Sequence, residues 1–180
     1  MKIPFRIKLI LLWYKYFGKK VGFNTVKRIS NKSKGVKNIL FFLPAEKEFA
    51  QISAHFIKPN YRNDHLHINF VVHQKGLDFY QDDLFSKMII YTDEDLNWLG
   101  AISSPEIINR INQINYDALV DLNQSINQPL SLLSLEIDIP NKIGFETPIS
   151  NHLYSIEIEL QKKGFIEQNY LMIEKILGID

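Results

Sequence analysis

The chain has 180 residues, 46% of them apolar and 23% charged, with no cysteine. That size and composition suit one globular domain with a real core. They exclude disulfides and thiolate metal sites, and every apolar run falls short of the ~20 residues a membrane-spanning helix needs. The net charge of +1 hides a strong asymmetry. Eleven of the 21 Lys and Arg residues precede residue 46, and none of the 20 Asp and Glu residues does. A basic arm is therefore joined to an acidic body, a pattern that points to an anionic partner. A cytoplasmic, reducing setting is the simplest one for a cysteine-free chain.

Met1 to Phe17 reads as a helix, with Pro4 suited to its first turn and Gly18 to its stop. Its apolar centre lies between clusters of cations, and Lys15 interrupts it, so a signal peptide is not expected. Two readings stay open for this helix. In one it packs on the body with its lysines solvated. In the other Lys8, Leu12, Trp13, Lys15, Lys19 and Lys20 meet an anionic membrane surface, peripheral on the inner membrane, or a protein partner. Nucleic acid is disfavoured, because no binding motif is present and the acidic body repels phosphate. Asn24 to Lys37 reads as a linker, which divides the chain into an arm and linker over 1–36 and a body over 37–180.

The body alternates strands and helices. Asn38 to Leu43 is a nearly continuous apolar run, as expected of a strand buried on both faces. A helix follows over Glu46 to Ile57, then strands at His67 to Val72 and Lys87 to Tyr91. Ser103-Ser104-Pro105-Glu106 signals a helix start, with Glu106 three residues after Ser103. A strand at Tyr116 to Leu122, a helix from Gln128 to Leu135, a strand at Lys142 to Phe145, an alternating edge strand near Ile156 to Leu160 and a helix from Phe165 to Leu177 complete the chain. The predicted fold is α/β: a single Rossmann-like three-layer domain with a mainly parallel sheet, preceded by a basic N-terminal helix. Ligands of such sheets bind beyond the C-terminal strand ends, which selects the loops at 44–48, 73–76, 92–95 and 123–127.

Tyr116-Asp117-Ala118-Leu119-Val120-Asp121-Leu122-Asn123-Gln124-Ser125, followed by Asn141-Lys142-Ile143-Gly144-Phe145-Glu146, resembles glycosyltransferase family 9, the heptosyltransferases of lipopolysaccharide biosynthesis. The resemblance covers residues 37 to 147 and implies a GT-B half-domain of the acceptor side. It departs from the family in two ways. The Gly-Asp pair after the first strand is replaced by Pro44-Ala45-Glu46, and the donor-binding half is absent. The resemblance therefore implies a domain without independent transferase activity, binding a sugar, a lipid-linked acceptor or a protein partner at the membrane surface. An active or split inverting glycosyltransferase and a structural or regulatory module are the alternatives, so the enzyme question stays open. Asp95-Leu96-Asn97-Trp98-Leu99-Gly100 also resembles short single-domain bacterial proteins of unknown function.

Candidate chemistry follows from position. Glu46 and Glu48, at a strand's C-terminal end, are the candidate catalytic bases, or first-turn acids complementing a helix dipole. Asn123, Gln124 and Ser125 are the candidate substrate-binding residues, or caps of the next helix. His65 and His67 are too few for a metal site, Asp93-Glu94-Asp95 reads as a solvated loop, and no metal or cofactor is expected. Phe79-Tyr80 and Trp98-Leu99 read as core or loop anchors.

Overall fold

The computed structural model describes residue 3 and residues 5–17, 36–57, 66–160 and 167–179. Six strands, β1 (Asn38–Phe42), β2 (His67–His73), β3 (Met88–Tyr91), β4 (Ala118–Asp121), β5 (Asn141–Phe145) and β6 (Ile156–Ile158), form one sheet in the order β3-β2-β1-β4-β5-β6. Every pairing is parallel. The helices are α1 (Phe5–Phe17), α2 (Lys47–Phe56), α3 (Pro105–Asn112), α4 (Gln128–Glu136), α5 (Ser150–Leu153) and α6 (Glu167–Leu177). This is a single Rossmann-like α/β domain.

The apolar run of β1 is explained by its central place. Ile39, Leu40, Phe41, Phe42 and Leu43 are fully buried. Their side chains alternate between two cores because successive residues of a strand face opposite ways. Ile39, Phe41 and Leu43 join Ala50 and Phe56 of α2 and Tyr170, Ile173 and Leu177 of α6. Leu40 and Phe42 join Ile107 and Ile111 of α3 and Leu130 and Leu133 of α4. Each such side chain contributes about 1.5–3 kcal/mol of burial.

The crossover from β2 to β3 is made of two 3₁₀ segments, Gln74–Phe79 and Asp82–Lys87, where the sequence pattern gives no helix. They are held close to β1: Tyr80 donates its hydroxyl to the Pro44 carbonyl at 2.7 Å, and a Cβ at Gly76 would lie 2.9 Å from Ala45 Cα. The cap of α3 is Ser104, without a side-chain bond, while Ser103 donates to the Asp95 carbonyl at 3.4 Å.

Helix α1 packs on the body along one stripe. Ile7 is buried against Ile149, Leu153 and Tyr154, with Ile3 and Leu11 beside it. These residues recur every four positions, one face of a helix. The opposite side leaves Phe5, Leu9 and Leu12 at 74%, 48% and 50% exposure, with Arg6 and Lys8 also exposed. One side of this helix is thus packed on the body and the other is open to solvent. The side chains of Trp13 and Lys15, and residues Lys19, Lys20 and His65, lie outside the described residues, as does most of the 24–37 linker.

Gly144 and Asp121 are partners in register on β5 and β4. A Cβ at Gly144 would fall 2.4 Å from the Tyr154 ring. The glycine is there so that this ring can cross β5 and reach Asp121. Gly144→Ala is expected to destabilise the fold by about 1–3 kcal/mol through overpacking, read as a lower Tm and an earlier urea midpoint with unchanged m.

Candidate functional site at the C-terminal edge of the sheet

Strand order reverses between β1 and β4, because β2 and β3 run out on one side of β1 and β4, β5 and β6 on the other. Loops leaving adjacent strands there go to opposite faces, α2 to one and α4 to the other. This opens a crevice at the C-terminal ends of the strands. Its two lips are bridged by a hydrogen bond: Ser125 Oγ donates to Glu46 Oε1 at 3.2 Å. Both are open to solvent, Glu46 exposed and Ser125 half-buried.

Beneath that contact lies a polar scaffold around Asp121, which is 2% exposed. Its Oδ1 accepts from the Asn123 backbone N–H at 2.9 Å and the Asn123 side-chain amide at 2.7 Å. Its Oδ2 accepts the Tyr154 hydroxyl at 2.7 Å. Burial raises the Asp121 pKa above its ordinary value, with the three donors opposing the shift only in part. Tyr154 is pushed well up, by burial first and by the Asp121 charge second.

The sequence-predicted residues therefore separate. Asn123 and Gln124 point inward: Asn123 is bound to Asp121, and Gln124 donates to the Tyr170 hydroxyl at 3.2 Å. Tyr170 in turn meets Ser53 Oγ at 3.2 Å. Only Ser125 of this trio reaches the crevice. Glu46 is the N-cap residue of α2, without a side-chain cap bond, and Glu48 is exposed in its first turn. Helix α4 is capped by Asn127, whose Oδ1 accepts the Leu130 N–H at 3.3 Å. His67 is exposed on β2, and among the described residues no cluster of three or more His, Cys, Asp or Glu could hold a metal.

The far side of the rim is already paired. His73 Nδ1 accepts the Lys75 N–H at 3.1 Å, which leaves the ring proton on Nε2, donated to Asp93 at 3.2 Å. Lys75 Nζ meets the other Asp93 oxygen at 2.6 Å. Lys75 first and His73 second hold the Asp93 carboxyl below its usual value. His73 packs edge-on against Tyr91 with centroids 4.9 Å apart. Asp95 forms a capping box with Thr92, and that backbone bond first of all lowers its pKa. Thus Asp93 and Asp95 hold a turn together. Tyr80 of the Phe79-Tyr80 pair is a core anchor, as expected, but Trp98 stands 80% exposed.

A cavity of about 330 Å³ lies at the opposite end of the sheet, lined by Ile111, Tyr116, Ile137, Asp138 and Pro140 among others. Lys142 is buried near it, donates to the Ser134 carbonyl, and is brought down to about 8 by burial, against the opposing charge of Asp138.

The model of a family of unknown function, DUF6913, matches residues 12–179. The chain belongs to that family. No functionally curated protein matches it. Among solved structures, HAL3 from Cryptococcus neoformans is 15% identical, covering 80% of this chain and 97% of that one with a TM-score of 0.48. The FMN binding protein AtHal3 is 17% identical over 78% of this chain and 77% of that one, with a TM-score of 0.36. A PPC decarboxylase mutant complexed with pantothenoylaminoethenethiol is 15% identical over 78% of each chain, also at 0.36.

The heptosyltransferase resemblance is overturned by this family assignment, and the transferase, split-transferase and modular readings built on it fall with it. The geometry explains how the resemblance arose. Asp117 Oδ2 accepts the Lys37 and Asn38 N–H groups, each at 2.9 Å, tying the start of β4 to the start of β1. Asp121 holds the Tyr154 scaffold. The two aspartates of the YD-hydrophobic-D strand, and Gly144 of the following strand, are therefore sheet-building residues, which unrelated parallel sheets also need. The signal missed in the sequence was Gly144 within the apolar strand β5, a small residue that lets the Tyr154 ring cross that strand to the buried Asp121 beside it.

Asp121 makes a pH prediction. Its folded pKa lies above the unfolded value of 3.8, so its contribution is most favourable below that pH. It declines as pH rises through the folded pKa. Asp121→Asn keeps an acceptor for Asn123 and can donate to Tyr154. Measured by urea unfolding from about pH 4 to 8, the stability of the variant relative to the parent chain is expected to rise with pH. A flat difference would exclude a titrating Asp121.

Proposed function

We propose that this protein binds a small polar molecule lacking phosphate, neutral or cationic, in the β1/β4 crevice. The observation that carries the reading is the Ser125–Glu46 contact across the crevice, a carboxylate and a hydroxyl placed where parallel sheets receive ligands. The helix ends flanking the crevice support the exclusion of phosphate. Anions bind helix N-termini through free N–H groups approached closely by glycine-rich backbone. Here the loop before α2 is Pro44-Ala45-Glu46, without glycine, and Glu46 and Glu48 place two carboxylates at that end. At α4, Pro129 has no N–H, Asn127 already occupies the Leu130 N–H, and the Ser131 N–H bonds the Asn127 carbonyl at 2.8 Å. A phosphate-bearing flavin or nucleotide does not fit this donor set. The wider rim agrees in sign, with exposed Glu46, Glu48, Asp93, Glu94 and Glu146 against Lys47 and Lys75.

The test is a screen of the full chain against non-phosphorylated amines, amino acids and polyols, beside inorganic phosphate, FMN and nucleotides, read by thermal shift and calorimetry. Binders are expected only in the first group, weakened about tenfold by Glu46→Gln through loss of one charge-assisted hydrogen bond. FMN or a nucleotide binding in the crevice would overturn the reading.

A surface role is proposed for α1 as well. Its open face carries Phe5, Leu9 and Leu12 beside Arg6 and Lys8, the composition of a helix that lies in an anionic membrane interface. No helix among the described residues is long and apolar enough to cross a membrane, so the attachment proposed is peripheral. Deleting the helix would also strip Ile7 from Leu153 and Tyr154, so the informative variant is Phe5→Ser with Lys8→Glu and Leu9→Ser. It is expected to abolish sedimentation with vesicles containing anionic lipid and to leave the melting of the body unchanged, while high salt weakens the sedimentation of the parent chain. Undiminished sedimentation of the variant would reject the role.

A further inference from the structure

We propose that Trp98 forms the aromatic wall of the crevice site and that the ligand carries an organic cation of the ammonium type. This rests on the reading of the crevice as a small-molecule site.

Trp98 is the most exposed large apolar side chain among the described residues, at 80%. It is not on a loose tip. The turn that carries it is closed at its base by an antiparallel bridge between Leu96 and Ile102. The Asn97 N–H donates to the Ala101 carbonyl at 2.9 Å and the Gly100 N–H to the Asn97 carbonyl at 2.8 Å. Inside the turn, Asn97 Oδ1 accepts the Leu99 N–H at 2.9 Å and the Ala101 N–H at 3.1 Å. Gly100 adopts φ +79°, which a side chain would strain.

The turn is also fastened to the crevice. Gln128 Nε2 donates to the Leu99 carbonyl at 2.6 Å, and Gln128 opens α4 three residues after Ser125. A Cβ at Gly100 would come within 2.7 Å of that same Gln128 nitrogen. Glycine is thus required for the backbone conformation, and a side chain there would also push the Gln128 amide from its bond to the turn. The arrangement holds the turn that carries Trp98 against the start of α4, with its side chain open to solvent. A preorganised aromatic face binds without the cost of ordering a mobile loop.

Charge selects the ligand. Glu94, four residues before Trp98, and Glu106 at the start of α3 are exposed, and Glu46 lies across the crevice. An indole face attracts cations through its quadrupole, and exposed carboxylates on the same edge of the sheet favour the same charge. An anion would be repelled by both, which matches the blocked helix ends.

The test uses choline as the probe and its neutral carbon isostere, 3,3-dimethylbutan-1-ol, as the control. The two tryptophans, Trp13 and Trp98, give two indole N–H signals in a ¹H–¹⁵N spectrum of the full chain, assigned with Trp98→Phe. The Trp98 signal is expected to shift saturably with choline, with the isostere about 3- to 30-fold weaker, the range of a cation–π contact. Trp98→Ala, at an exposed position, is expected to keep the parent Tm and lose the same factor in choline affinity measured by calorimetry. Glu46→Gln weakens it further. No Trp98 shift by about 50 mM choline, beyond any specific affinity, or an equal response to the isostere, would overturn the proposal. Choline affinity unchanged in Trp98→Ala but reduced in Glu46→Gln would remove Trp98 from the site while keeping the crevice. Neutral polyols binding in place of choline would remove the cation while keeping the crevice. Phosphatidylcholine vesicles are run in parallel: response to free choline is expected, and response to the vesicles alone would overturn a small-molecule site.

Discussion

The architecture depends on burying β1 on both faces. A strand of consecutive Ile, Leu, Phe, Phe and Leu cannot tolerate water on either side, so a helical layer must cover each face. Parallel neighbours on both edges then require crossovers, and those leaving β1 and β4 go to opposite layers. The crevice at the strands' C-terminal ends is the geometric consequence of that divergence. It would exist whatever residues stood in the loops. What the loops carry decides what the crevice can hold.

Two aspartates on β4 stabilise this arrangement in different ways. Asp117 works at the open end of the sheet, where its carboxylate takes two backbone N–H groups that no strand partner reaches. Asp121 works at the buried end, where a carboxylate without a cation is costly. Three hydrogen bonds offset that cost, and they require Tyr154 to lie over Gly144. The same Tyr154 packs against Ile7 of α1. The floor of the crevice, a glycine in β5 and the seat of the N-terminal helix are therefore one continuous structure. This links the proposed surface contact of α1 with the ligand edge, since Ile126, beside Ser125, packs in the same cluster.

The rim shows why residue type alone is a weak guide to chemistry. His73, Asp93 and Lys75 have the composition of a reactive cluster, yet both nitrogens of His73 are engaged and Asp93 is shared. Asn123 and Gln124 have the composition of ligand contacts, yet both serve buried partners. Among the described residues, Glu46 and Ser125 meet across the crevice, and the proposed aromatic wall is Trp98. Their chemistry is acidic and aromatic, the reverse of a phosphate cradle.

The sequence by itself determined the fold class. Local patterns are written in neighbouring residues: the continuous apolar run at 39–43, the isoleucines at helical spacing before Ile114, the alternation near Ile156. It also determined the charge asymmetry, and that Glu46 and Ser125 would stand at strand ends. Only the tertiary structure decided which polar residues are occupied and which are open, because hydrogen bonds such as Ser125–Glu46 and Asn38–Asp117 join residues 79 positions apart. It also turned Trp98 outward, since a tryptophan reads as an anchor until the turn beneath it is seen to be complete without it. The near-match to a sugar transferase arose where local pattern ends: a strand motif records how a sheet is built and is silent on what the sheet holds.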